Sequence, residues 1–196
     1  MRFSIHTLGT RGDIQPYLAL SRGLKARGHE VLIVAPAQFA EMAAAEGVAF
    51  APLPAEFLEL LETAEAKKAI GSSGAGFGAG FKLLRYYREI GRKLLDAEWD
   101  AARMFAPEAI LFHPKALGAP HIAAKLGIPL FLASPLPGFT YTSAFPTPIL
   151  PFGSLGPLNR VSHALMIHGG RILFAKTIRA WRAEALGTSA RGKTAP

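Results

Sequence analysis

One acid stands where a glycine-rich turn leads into a helical pattern: Asp13 closes the run Gly9-Thr10-Arg11-Gly12-Asp13, directly after a β-compatible stretch at 3–8. A carboxylate in that place has two uses. It can take a proton from a bound hydroxyl as a general base. It can also cap the helix that follows, although Pro16, near N3, has no N–H and the cap bond would have to go to the Gln15 amide. The residues alone leave both open. Gly9, Thr10 and Gly12 permit close backbone approach to a ligand, and Arg11 offers either an anion contact or a surface ion pair. His113, at the carboxyl end of a later strand, is a candidate to orient Asp13 or a substrate hydroxyl. His6, inside the first strand, reads as a core or rim histidine.

These residues need a scaffold that brings strand ends together, and the chain has the pattern for one. The stretch 3–8 is followed by a helix over 14–27, ended by Gly28, and then by the continuous apolar run 30–35, a strand buried on both faces. A second helix over 38–46 and a third strand over 48–51 repeat the rhythm. Farther on come a strand at 109–112, a helix at 118–126 and a strand at 128–133. Alternating strands and helices with short loops imply a doubly wound parallel α/β sheet, Rossmann-like, with ligands beyond the carboxyl ends of its strands.

Between 52 and 106 the pattern loosens into helical stretches at 57–70 and 81–105, separated by the glycine-rich run 71–80. That run lacks both G-x-G-x-x-G and a following Lys-Ser/Thr, so it reads as a flexible connection at the mouth of a cleft, not a phosphate loop. The last element, a helix over 158–186, carries Val161, Leu165, Ile172, Ala175, Ile178 and Trp181 on an apolar period. Its other faces hold Arg160, Arg171, Lys176, Arg179 and Arg182, and Gly169-Gly170 is a candidate kink or break. Such a helix suits either an anionic membrane surface or packing on a neighbouring domain.

Composition bounds the rest. The 196 residues are 50% hydrophobic and 18% charged, with 20 Gly, 15 Pro and no Cys, which fits one domain with a substantial core and many tight turns. Disulfides, thiolate zinc sites and cysteine nucleophiles are excluded. A formal charge of +8 does not by itself choose among nucleic acid, membrane and phosphate-bearing partners. Arg11 and Asp13 follow the start too closely for a secretory signal, so a cytoplasmic location is expected. The stretch between Lys125 and Arg160 lacks Asp, Glu, Lys and Arg but is broken by seven prolines, so it reads as an apolar wall and not a membrane span. Its aromatic residues Phe139, Tyr141, Phe145 and Phe152 are candidates for an apolar acceptor pocket, with ordinary packing as the alternative.

The run from Gly9 to Tyr17, followed by Gly28-His29-Glu30-Val31, resembles the N-terminal signature of the glycosyltransferase family that includes sterol glucosyltransferases and the glycosyltransferases of glycopeptide antibiotics. His113-Pro114-Lys115-Ala116-Leu117-Gly118, Leu126-Gly127-Ile128-Pro129 and Thr142-Ser143-Ala144-Phe145-Pro146-Thr147-Pro148 extend the likeness over nearly the whole chain. The resemblance implies the N-terminal half of a GT-B fold, in which this domain grips the acceptor and a facing C-terminal domain binds the nucleotide sugar. It implies that Asp13 is the general base of an inverting transfer; plant relatives place a His there.

Under the same resemblance Gly9, Thr10, Arg11, Gly12 and His113 bind donor or acceptor, and no metal or cofactor is required, the nucleotide sugar being a substrate. The expected partners are a small-molecule or lipid acceptor and a C-terminal donor-binding domain or subunit, with peripheral contact at the inner membrane face and no nucleic acid. The expected organisation is a domain over 1–187 and a truncated linker over 188–196, and the chain by itself is expected to be inactive.

Overall fold

The computed structural model describes residues 1–56, 58–59, 77–135, 139–148, 150 and 153–188. Expectations for most of 57–76, for Phe152, and for the linker beyond Thr188 lie outside the described residues.

Five strands, β1 (Arg2–His6), β2 (Glu30–Pro36), β3 (Ala49–Leu53), β4 (Ala109–Phe112) and β5 (Leu130–Leu132), form one sheet in the order β3-β2-β1-β4-β5. All four pairings are parallel. The chain winds outward from β1 to β3 and returns on the other side of β1 at β4. The switch point therefore falls between β1 and β4, as the doubly wound reading requires. Pro52 is admitted because β3 is an edge strand, where a lost ladder donor costs least.

Among the described residues five α-helices, α1 (Arg11–Lys25), α2 (Ala40–Ala45), α3 (Phe77–Phe105), α4 (Ala119–Leu126) and α5 (Asn159–Glu184), cover the two faces. Because strand side chains alternate, Ile5, Val31 and Ile33 pack with Ile14, Tyr17 and Leu18 of α1 and with Ala43 of α2. The opposite face sends Leu32 and Val34 against Ile90, Leu94 and Ala101 of α3. Ile110 joins Leu95, Ala119, Ile122 and Trp181, tying α3, α4 and α5 into one layer. Each fully buried aliphatic side chain here contributes roughly 1.5–3 kcal/mol over an exposed one.

Several sequence expectations are revised. Helix α1 begins at Arg11 with Thr10 at its N-cap, which makes Asp13 the N3 residue and not the cap. Helix α3 begins at Phe77, so Gly78 and Gly80, read as loop, are helical. Helix α5 runs unbroken through Gly169-Gly170. Only part of its apolar period is used: Trp181 is fully buried, whereas Val161, Leu165 and Ile172 are exposed. Arg182, expected on the solvated basic face, is buried.

Candidate active site

The in-register pairing of His6 with Phe112 sets the ends of β1 and β4 side by side, so residues 7–13 and 113–118 leave the sheet as neighbouring loops. Thr7 Oγ1 donates to the Asp13 carbonyl (2.7 Å), which fixes the first turn of α1 to the end of its own strand. Gly9 has φ +144°, and a Cβ there would lie 2.1 Å from Asp13 Oδ2. Only glycine lets the loop pass so close to the carboxylate.

Asp13 is largely buried and is surrounded by donors. Thr10 gives Oδ2 its backbone N–H (2.9 Å) and its hydroxyl (3.3 Å), the side-chain-to-backbone half of a capping box. Lys115 Nζ lies 3.0 Å from both carboxylate oxygens. His113 Nε2 lies 3.2 Å from Oδ1. The backbone N–H of Lys115 donates to His113 Nδ1 (3.1 Å); that nitrogen is therefore the acceptor, and the ring proton sits on Nε2 facing Asp13. Tyr17 stands edge-on to the His113 ring, with centroids 6.0 Å apart, and its hydroxyl is pinned to the Ala133 carbonyl beyond β5.

Burial alone would raise the Asp13 carboxyl. The hydrogen bonds from His113 and Lys115, the charge of Lys115 and the Thr10 amide outweigh it and hold Asp13 well below the usual carboxylate range. Burial, followed by the Asp13 charge, pushes the Tyr17 phenol above its ordinary value.

Thr10, Arg11 and Gly12 are exposed at the lip of this loop, open to whatever occupies the cleft. His6 lies at the core end of β1, fully buried, with Nδ1 3.0 Å from Glu98 Oε2 of α3. Glu98 Oε1 accepts the Gly118 N–H at 3.2 Å, and a Cβ on Gly118 would come within 3.0–3.1 Å of that carboxylate. The pair fastens α3 to the start of α4. Sequence reasoning missed Lys115 and Glu98 as site residues. A lysine in a loop and an acid on a long helix read as solvated, and no local pattern says otherwise.

A small apolar cavity, with room for about one water, lies between α3, α5 and the loop after β4. Its walls are Leu8, Leu94, Leu95, Leu117, Phe174, Thr177 and Ile178, with Glu98 and Lys115 as charged members. Lys115 thus touches both the cavity and Asp13. Of the four aromatic residues expected to form an acceptor pocket, Phe139, Tyr141 and Phe145 are among the described residues. Tyr141 bonds His168 Nε2 at 3.2 Å under the Arg160 guanidinium; Phe145 stands edge-on to His163, and its carbonyl bonds the His163 ring at 3.0 Å. Phe139 is half-buried. None of these three lines the cavity. Tyr141 and Phe145 pack on the N-terminal half of α5.

A five-stranded parallel sheet covered by helices on both faces defines a Rossmann-like domain of the sort found in GT-B glycosyltransferases. The chain belongs to the glycosyltransferase family 28 N-terminal domain family, whose model matches residues 3–146. It is 32% identical over 195 residues to UDP-sugar-dependent glycosyltransferase 52 of Dictyostelium discoideum, covering 95% of this chain and 11% of that protein. It is 36% identical over 148 residues to a sterol 3-beta-glucosyltransferase of Komagataella phaffii, covering 74% of this chain and 11% of that protein. A sterol 3-beta-glucosyltransferase of Arabidopsis thaliana is 33% identical over 153 residues, 76% of this chain and 24% of that one. The chain therefore spans 11% to 24% of the length of these relatives.

Among solved structures, the glycotransferase of kitacinnamycin superposes with TM-score 0.59 at 18% identity, covering 99% of this chain and 43% of that one. CalG4, the calicheamicin glycosyltransferase, gives 0.55 at 17% identity over 89% and 40%. These likenesses show the fold. Among the described residues no helix is long and apolar enough to cross a membrane.

Proposed function

We propose that this chain is the acceptor-binding domain of an inverting hexosyltransferase, moving a hexose from a UDP- or dTDP-linked sugar to a hydroxyl of a lipid, sterol or polyketide-like acceptor. The observation that carries this reading is Asp13 at the switch point, oriented by His113 and joined through Lys115 to the lining of the apolar cavity. The relatives named as UDP-sugar-dependent and sterol glucosyltransferases support the donor and acceptor classes.

The acceptor oxygen forms its bond to the anomeric carbon as the carbon–oxygen bond to the diphosphate breaks on the opposite face. The nucleoside diphosphate leaves with that electron pair, and the hydroxyl proton passes to Asp13. A carboxylate is too weak to ionise an alcohol in advance, so it takes the proton late in a concerted step. Thr10, Arg11 and Gly12 would face the donor sugar and phosphates, while a second domain or subunit holds most of the nucleotide. The chain alone is then expected to be inactive.

The test is transfer by the purified chain, alone and with a donor-binding domain supplied, using a UDP- or dTDP-hexose and an apolar alcohol. Product of inverted anomeric configuration, formed only by the combination, is expected. Product of retained configuration would overturn the mechanism, and turnover by the chain alone would overturn the division of labour.

A second reading rests on α5, where exposed Leu158, Val161, Leu165 and Ile172 accompany exposed Arg160, Lys176 and Arg179. In it the chain is a non-catalytic, membrane-associated scaffold that recruits a catalytic partner. Sedimentation with anionic but not neutral vesicles, abolished by Leu165→Glu with Ile172→Glu, supports membrane contact; transfer that is indifferent to Asp13 supports the scaffold.

A further inference from the structure

We propose that Lys115 is a displaceable latch on Asp13: its ammonium occupies the place on the carboxylate that the acceptor hydroxyl must take, and it leaves for the diphosphate of the nucleotide sugar. The inference rests on Asp13 being the base and adds what arms it.

An ionised carboxylate offers about four lone-pair directions. Around Asp13 five donor contacts fill them: the Thr10 amide, the Thr10 hydroxyl, His113 Nε2, and Lys115 Nζ on each oxygen. With all five in place no lone pair is left for an incoming hydroxyl. Four of the contacts come from two residues, and they differ in how firmly they are held. The Thr10 donors belong to the first turn of α1. His113 is held by the Lys115 backbone N–H and by the Tyr17 ring, with its side chain 3% exposed.

Lys115 is the loose member. Its side chain is 43% exposed, it stands on a loop, and it carries a full charge on a flexible four-carbon stem. When that side chain swings away, the backbone N–H of the same residue still holds His113. The base then keeps its orienting partner and loses its blocking one.

The ligand able to draw the ammonium off is polyanionic. Facing one carboxylate, Lys115 gains the attraction of a single charge; a diphosphate offers about two or more. In-line attack puts that diphosphate across the sugar from Asp13, and the flexible four-carbon stem is what carries the ammonium from one side to the other. Lys115 keeps its protons throughout, and the transferred proton still goes to Asp13. Donor arrival therefore removes the cation that depresses the base and frees its lone pair together.

The experiment titrates the Asp13 carboxyl carbon by nuclear magnetic resonance in the folded chain with the donor-binding domain supplied, comparing the parent with Lys115→Met and Lys115→Arg, each with and without UDP as the probe. Loss of the charge in Lys115→Met should raise the Asp13 midpoint by about one pH unit or more, and Lys115→Arg should not. Saturating UDP should raise the parent midpoint toward that of Lys115→Met and move Lys115→Met by clearly less, since only the through-space charge of the diphosphate acts there; equal shifts overturn the latch. A midpoint indifferent to the Met substitution overturns the latch, as does a parent midpoint indifferent to UDP, including the case in which UDP does not bind. Unmoved Thr10 amide signals show that the loop is intact. Because the readout is protonation and not turnover, failure here is distinct from failure of Asp13 as base, which the turnover of Asp13→Asn reports.

Discussion

Lys115 Nζ lies 3.0 Å from both carboxylate oxygens of Asp13, although 102 residues separate the two in the chain. The contact exists because β1 and β4 are neighbours and parallel: the loops that follow them leave the same edge of the sheet. A buried carboxylate and the cation beside it are thereby delivered from two distant segments by one backbone register.

Asp13 ties the pH dependence of folding to this contact. Its carboxyl is depressed in the folded chain, so it contributes stability that is fully present above the unfolded value, about pH 4, and is lost as pH falls toward the folded value. Chemical denaturation of the parent should therefore show stability falling below about pH 4 by on the order of 1–2 kcal/mol from this group, after allowing for the exposure of Lys115. Asp13→Asn should lack that component and show a flatter profile. Parallel curves for the two proteins would mean that Asp13 is not the depressed group.

Gly9 is the narrowest point of the site. In Gly9→Ala the new methyl must displace the Asp13 carboxylate, and its backbone must hold a conformation that L-residues avoid. The expected cost is on the order of 1–3 kcal/mol in stability. Transfer by the complemented enzyme should fall about 100-fold, because a base moved by an ångström no longer meets its proton. A variant that melts lower yet transfers at the parent rate would show that this approach has no catalytic consequence.

Glu98 is a structural counterpart to Asp13. Glu98→Ala strands His6 Nδ1 and the Gly118 amide in the core, a loss of about 3 kcal/mol or more, which corresponds to a drop of about 6–12 °C in Tm. Glu98→Gln keeps one acceptor and should lose less. Thermal unfolding of the two variants checks the order, and equal losses would contradict the described hydrogen bonding.

The cavity makes a prediction about acceptors. Thr177→Trp would crowd the space bordered by Leu94, Leu117 and Ile178, which Lys115 also lines. The KM for an apolar acceptor should rise about tenfold or more. An unchanged KM would place the acceptor elsewhere, with the aromatic residues on α5 as the next candidates.

Much of this architecture is legible in the sequence because its signals are local. The buried strand 30–35, the stops at Gly28 and Gly127, and the glycine-bracketed approach to Asp13 each announce themselves within a few residues, and His113 follows from its place at a strand end. The helix start at Arg11 is less visible, since Asp13 makes an equally good cap on paper; the Thr7 and Thr10 contacts that settle it depend on the strand end. Pairings such as Lys115 with Asp13 and Glu98 with His6 depend on which strands neighbour each other, which periodicity does not encode. The aromatic, proline-rich run illustrates the same limit: Tyr141 and Phe145 find His168 and His163 on a helix that local spacing does not orient.

Proton transfer to Asp13 is read most plainly in the kcat of Asp13→Asn against the parent, with the donor-binding domain supplied and both proteins shown to fold. Asparagine keeps an oxygen for the Thr10 amide but cannot act as the base. A fall in kcat of about 100-fold or more is expected with acceptor KM little changed; turnover at the parent rate would rule Asp13 out as the base.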